Sequence, residues 1–171
     1  MVIACSIVLL ARIVELNLNH CRLAIFRSGY LSSMLVYLTR RENFNAAHQL
    51  WVQAWSEEKN FEVFGKCANK NFHGHNYDLM ITIKGKPDPV TGFIMDAKKL
   101  SKIIKKEVCD VLDHTNMNLD DNFLPPGVLP TTENLVYYIW QQIAPHLDAN
   151  CALHCVKLYE TRNIWAEYYG E

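Results

Sequence analysis

The segment FGKCANKNFHGHNY, Phe64 to Tyr77, places one cysteine and two histidines within fourteen residues. If it enters a strand, neighbouring side chains point to opposite faces, so His73 and His75 point to the same one. Their Cα atoms then lie roughly 6.5–7 Å apart, a spacing at which two imidazoles can share one metal ion. Gly74 between them leaves room for a close backbone approach. His48 ends an earlier extended segment, and an antiparallel neighbour would bring it alongside. Three neutral imidazoles leave the fourth position of a tetrahedral Zn²⁺ open, the arrangement of catalytic zinc sites.

Cys67 stands six residues before His73. As a fourth ligand it would close the site and make it structural. Standing off the metal, it would be a base or a nucleophile. Gly65 and Lys66 beside it favour a partly exposed loop, and a nearby cation would enrich the thiolate. An inert loop cysteine is the bland alternative. Asp113 and His114 form a second candidate group. A carboxylate bonded to an imidazole fixes its tautomer and raises its basicity, which suits proton transfer, although adjacent Asp-His pairs are also common by chance. Glu160 ends the apolar run CVKLYE. Counting by twos from Val156 and Leu158 puts it on their buried face, where a carboxylate needs donors. A ligand with two adjacent N–H groups would provide them, as would an Arg or Ser of the protein. Thr131 and Thr132 open a helix and read as caps.

The elements that must position these groups follow from hydrophobic period. LVYLTRRENFNAAH is extended and ends at His48. WVQAWSEEKNFEVFGK reads as an inserted loop with one helical turn, capped by Ser56. HNYDLMITIKG alternates as a half-buried strand, and KPDPVTG is a turn. MDAKKLSKIIKKEVCDVL carries Leu100, Ile103, Ile104, Val108 and Val111 at helical spacing, with Asp96 as N-cap. DHTNMNLDDNFLPPGVLP is a polar, proline-bearing loop. TTENLVYYIWQQIAPHL is a second helix with Leu135, Val136, Ile139, Trp140 and Ile143 on one face. ALHCVKLYE and IWAEYYG read as a hairpin. The order β-β-α-α-β-β predicts one α+β domain, an antiparallel sheet with two helices on one face.

The chain has 171 residues, half of them apolar, enough for one domain with a substantial core. Lys and Arg number 17 against 18 Asp and Glu, and they are scattered, which excludes a basic nucleic-acid footprint. The six cysteines do not make this a small cysteine-dense chain, and reduced thiols in a cytoplasmic protein are expected. Cys109, Cys151 and Cys155 sit among apolar neighbours and are expected in the core. The opening MVIACSIVLLARIVEL is interrupted by Arg12 and Glu15, short of the ~20 residues of a membrane span, and lacks the basic start of a secretory signal. Residues 1–33 are expected to lie outside the fold, with a short, poorly packed helix as the competing reading. The domain is expected over residues 34–171.

FNAAH, FGKCANKNFHGHNY, GKPDPVTGFIMD, LDHTNMN, TTENL and KLYET, in this order, resemble the 6-pyruvoyltetrahydropterin synthase family, which includes 6-carboxytetrahydropterin synthases. The match runs from about Leu35 to Gly170. The resemblance implies a T-fold, in which a four-stranded antiparallel sheet carries two helices. It also implies trimers whose sheets form a barrel, stacked as a homohexamer with active sites between subunits. It assigns His48, His73 and His75 to zinc, Cys67 to the catalytic thiol, and Asp113 and His114 to the assisting pair of a neighbouring subunit. Glu160 becomes the anchor of the pterin ring, with Thr131 and Thr132 beside it. The implied reaction converts 7,8-dihydroneopterin triphosphate to 6-pyruvoyltetrahydropterin with loss of triphosphate, using Zn²⁺ and no redox cofactor. The alternative product is 6-carboxytetrahydropterin, of queuosine biosynthesis. Five residues between Cys67 and His73 look more like the pyruvoyl-forming branch. A non-catalytic structural zinc module is the reading from another class.

Overall fold

The computed structural model describes residues 34–120 and 123–171. The expectation for residues 1–33, with Cys5 and Cys21, lies outside the described residues.

Strand β1 (Val36–His48) and strand β2 (His73–Gly85) form the long antiparallel pair, in a register from Val36 opposite Gly85 to His48 opposite His73. Alternation makes them a half-buried ladder. Tyr77, Leu79, Ile81 and Ile83 of β2 are wholly buried, while Asn76, Asp78 and Met80 between them are less so. Each such buried side chain contributes about 1.5–3 kcal/mol. Between the strands lies helix α1 (Glu57–Phe64), where Ser56 accepts a hydrogen bond from Lys59 N–H. It is two turns long, not the single turn expected. Left-handed Gly65 ends it and starts a 3₁₀ turn, Gly65–Ala68.

Helix α2 (Ala97–Ile104) is capped by Asp96, which accepts from Lys98 N–H at 2.8 Å. It continues through a π-helical turn (Lys105–Cys109) and a last turn (Asp110–Leu112). Leu100, Ile104, Val108 and Leu112 are all buried, spaced by fours. That spacing drifts about 40° per step around a 3.6-residue helix. The wider π turn takes up the drift and keeps the stripe on the sheet. Helix α3 (Thr132–Ile143) buries Leu135, Val136, Ile139 and Ile143, and Pro145 follows in a closing 3₁₀ turn. Strands β4 (Cys151–Tyr159) and β5 (Trp165–Tyr168) complete the hairpin.

Among the described residues the sheet is open and has five strands; with β3 (Thr115–Asn116) at one edge, the order is β3-β1-β2-β4-β5. Strand β3 (Thr115–Asn116) is a correction to the four strands expected, since it pairs in parallel with Ala46–Ala47 from within the predicted loop. Side chains make this short ladder possible. Asp113 Oδ1 accepts from Asn45 N–H at 2.7 Å just before it, and Asn118 Oδ1 accepts from Gln49 N–H at 2.7 Å just after it. Residues of α2 and α3 share one core with the inward residues of the sheet. Cys109 and Cys155 are buried as expected, whereas Cys151 is half-buried at the start of β4. Among the described residues no helix is long and apolar enough to cross a membrane.

Candidate metal centre

The long ladder delivers the histidines. His48 is the last residue of β1, opposite His73, the first of β2, and His75 pairs with Ala46 two steps on. All three rings face the helix side. Their centroids lie 4.5 Å (His48–His73), 5.1 Å (His48–His75) and 4.9 Å (His73–His75) apart. One ligand atom from each lies within 4.8 Å of the others. Local backbone is bent to achieve this. Phe72, directly before His73, is held at φ 59°, a costly conformation for a bulky residue. A Cβ on Gly74 would stand 3.3 Å from the Ala46 carbonyl oxygen, so the expected close approach is present.

Four observations fit this cluster to a metal ion. His48 Nδ1–H donates to the Pro130 carbonyl at 2.8 Å, because a carbonyl only accepts. The neutral ring therefore presents the lone pair of Nε2 inward, the usual arrangement behind a ligating histidine. That Nε2 stands 3.0 Å from His73 Nε2. An ion with bonds of about 2.0–2.1 Å holds two such nitrogens roughly 3.3 Å apart. His75 Nε2 is buried with no hydrogen-bond partner, a cost that a bound ion would remove. Burial pushes all three imidazoles below the ordinary histidine range, so they stand neutral, as ligands must.

Glu160 joins them. Its Oε1 lies 3.4 Å from the Nε2 atoms of both His48 and His75, with 17% of the side chain exposed. It stands just beyond β4, on the face predicted for it. Beside it is a group not read from the sequence as functional. Tyr77 is wholly buried, stacked on Phe44 at 5.0 Å with its ring 5.6 Å from His75, and its hydroxyl has no partner. Burial, then Glu160 and Cys67, keep that phenol neutral. Its place two residues after His75, on the same strand face, was the available signal.

Cys67 lies in the 3₁₀ turn and is half-buried. Its sulfur is not part of the ligand group, which among the described residues consists of the three histidines. Burial, and then the Glu160 carboxylate, push its thiol up. Thr131 caps α3, accepting from Asn134 N–H at 3.3 Å. Thr132 is 5% exposed with an unpartnered hydroxyl. Both follow Pro130, the residue that holds His48.

Asp113 and His114 pair as expected, Oδ2 to Nδ1 at 2.8 Å. The Asn45 N–H, then His114, hold the Asp113 carboxyl below its usual range. His114 takes φ 62°, and its side chain is 80% exposed. Among the described residues no hydrogen bond, ion pair or ring contact joins this pair to the histidine cluster. A cleft of about 640 Å³ runs over the sheet from Arg41 and Asp78 to His75, Glu160 and Arg162.

The fold is that of a known class. The family described as 6-pyruvoyl tetrahydropterin synthase matches residues 37–171. The chain belongs to that family. It is 40% identical to the 6-pyruvoyl tetrahydrobiopterin synthase of Homo sapiens over 134 residues, 78% of this chain and 91% of the relative. It is 42% identical to the protein of the same name from Dictyostelium discoideum over 139 residues, 81% and 99%. The structure of the Caenorhabditis elegans 6-pyruvoyl tetrahydropterin synthase superposes with a TM-score of 0.75 at 33% identity, covering 81% of this chain and 97% of that one.

Proposed function

We propose that the protein is a zinc-dependent lyase that converts 7,8-dihydroneopterin triphosphate to 6-pyruvoyltetrahydropterin, with release of triphosphate. The observation that carries this reading is the cluster of three neutral imidazoles, with the Cys67 thiol outside the ligand set but within reach of the field of the same Glu160 carboxylate. The names of the relatives favour the pyruvoyl over the carboxy product.

In this reading His48, His73 and His75 hold the Zn²⁺, which supplies Lewis acidity toward the oxygens of the substrate side chain. The Glu160 carboxylate accepts hydrogen bonds from the ring N–H and amino groups of the pterin and fixes its orientation. Thr131 and Thr132 line that end. Cys67 takes a proton from a side-chain carbon and returns one to the neighbouring carbon. His114, oriented by Asp113, relays that proton. The pair is exposed on the sheet edge, with no hydrogen bond or ion pair to its own cluster among the described residues, and in this reading it serves the site of a neighbouring chain. Closure of the open sheets into a trimeric barrel, and stacking into a homohexamer, completes the sites. A cytoplasmic location goes with reduced thiols, and a chain begun at Met34 keeps activity.

The test is direct. Purified protein is incubated with dihydroneopterin triphosphate and the pterin product is identified by mass. The pyruvoyl compound is expected. A carboxy product accompanied by trapped acetaldehyde would move the protein to the other branch, and no turnover by zinc-replete protein would end the reading.

A further inference from the structure

The thiol-bearing turn is short, and its restraints come from an unexpected place. After Thr115–Asn116, the ladder beside β1 continues with Met117 N–H donating to the Ala47 carbonyl at 2.9 Å. One residue further the side chain of Asn118 takes over from the backbone. Gln49 N–H donates to Asn118 Oδ1 at 2.7 Å, and Asn118 Nδ2–H donates to the Gln49 carbonyl at 3.0 Å. So held, Gln49 donates its own side-chain N–H to the Ala68 carbonyl at 2.8 Å. Leu50 N–H donates to the Cys67 carbonyl at 2.9 Å. Both carbonyls at the end of the turn are therefore gripped by the two residues that directly follow His48.

We infer that Gln49, clamped by Asn118, is a positioning residue that sets where the Cys67 thiol stands relative to the three imidazoles. The inference rests on the proposed role of Cys67. Its geometric basis is that Gln49 is itself the residue after a metal-facing histidine, and that its side chain is hydrogen-bonded to the carbonyl of the residue after the thiol. A proton-transferring group tolerates little displacement: a shift of about 1 Å costs roughly 100-fold in rate. Among the described residues no hydrogen bond or ion pair joins the side chains of Gln49 and Asn118 to the histidine cluster or to Glu160. They act through the turn alone.

The test uses full-length zinc-loaded protein carrying Gln49→Glu, which puts an acceptor against the Ala68 carbonyl, Gln49→Met, which removes the donor without charge, Asn118→Ala, or Asn118→Asp. Turnover of dihydroneopterin triphosphate is measured beside zinc content and melting temperature. The pH dependence of iodoacetamide alkylation at Cys67 is followed on its peptide by mass spectrometry. Gln49→Glu, Gln49→Met and Asn118→Ala are expected to lower kcat by about 10- to 100-fold, with zinc retained. KM is expected to stay within about two-fold. The alkylation profile of Cys67 shifts in the same variants. Asn118→Asp, which keeps the acceptor for Gln49 N–H, recovers most of the Asn118→Ala loss. Zinc-bound variants with kcat within about two-fold of the parent and an unchanged profile would overturn the inference. If the parent protein shows no turnover, the lyase reading falls, and the alkylation profiles alone decide the positioning role.

Discussion

The histidine cluster and the Asp113–His114 pair are both built on the end of β1, yet they are opposites. The cluster is complete within one chain. His48 is 1% exposed, its Nδ1–H is committed to Pro130, and its ladder partner is His73. The pair projects from the sheet edge, with His114 80% exposed and in a left-handed conformation. Burial gives the first group its chemistry, because it strips the imidazoles of charge and leaves a nitrogen without a partner. The second has its partner and tautomer but nothing to act on. The difference teaches that burial brings the three imidazoles together within one chain, while the Asp113–His114 pair stays exposed at its edge.

The largest effect should come from breaking the buried side. His48→Ala removes a ligand and its hydrogen bond to Pro130, and metal affinity should fall by at least about 100-fold. Dialysis followed by metal analysis checks this, and a variant that keeps stoichiometric zinc would refute the ligand role. Next comes Cys67→Ser, expected to keep the metal and lose turnover by about 100-fold or more. Loss of metal together with a large fall in melting temperature would mean instead that sulfur closes a structural site.

The exposed side is sharpened by mixing. Cys67→Ser and His114→Ala proteins, each inactive alone, are unfolded, combined and refolded together. Active sites shared between chains regain activity in the mixture. A mixture as inactive as its parts would place the pair and the thiol in one chain, or remove the pair from the reaction.

A smaller effect belongs to Glu42, on the same face of β1 as His48 but six residues away. Burial alone would raise its carboxyl, but hydrogen bonds from Ser101 at 2.6 Å and Arg40 at 2.7 Å outweigh that and hold it below its usual range. A depressed carboxyl stabilises the fold above its unfolded pKa and loses that contribution as pH falls. Glu42→Gln should therefore cost about 1–2 kcal/mol at neutral pH. The difference from the parent should shrink below about pH 4.3. Urea melts at pH 7 and pH 3.5 read it, and a pH-independent difference would exclude the charge. Smallest is Ser56→Ala, which removes the α1 cap for about 1 kcal/mol and leaves the metal in place.

The buried side was legible in the sequence because its signals are periodic. His-x-His needs only the two-residue repeat of a strand, and Glu160 follows by the same count from Val156. That starting point mattered. The ladder between β2 and β4 shifts where Thr82 pairs with Cys155 but Ile83 pairs with Leu153, leaving His154 over. Counting from Leu153 would have sent Glu160 to the wrong face. The aspartate and serine caps at Asp96 and Ser56 were both readable because a cap acts within three residues. What escaped was made by side chains standing in for backbone. Strand β3 exists because Asp113 and Asn118 bond the chain of β1 at either end, and no alternation marks two residues. The left-handed Phe72 and the π-helical turn were equally hidden, since each answers a tertiary demand and not a local preference.

The central claim is that three imidazoles bind one zinc ion while the Cys67 sulfur stands close but unbound. X-ray absorption at the zinc edge of the resting protein tests it directly. The account predicts a shell of nitrogen and oxygen at about 2.0–2.1 Å and no sulfur. A sulfur shell at about 2.3 Å would contradict it.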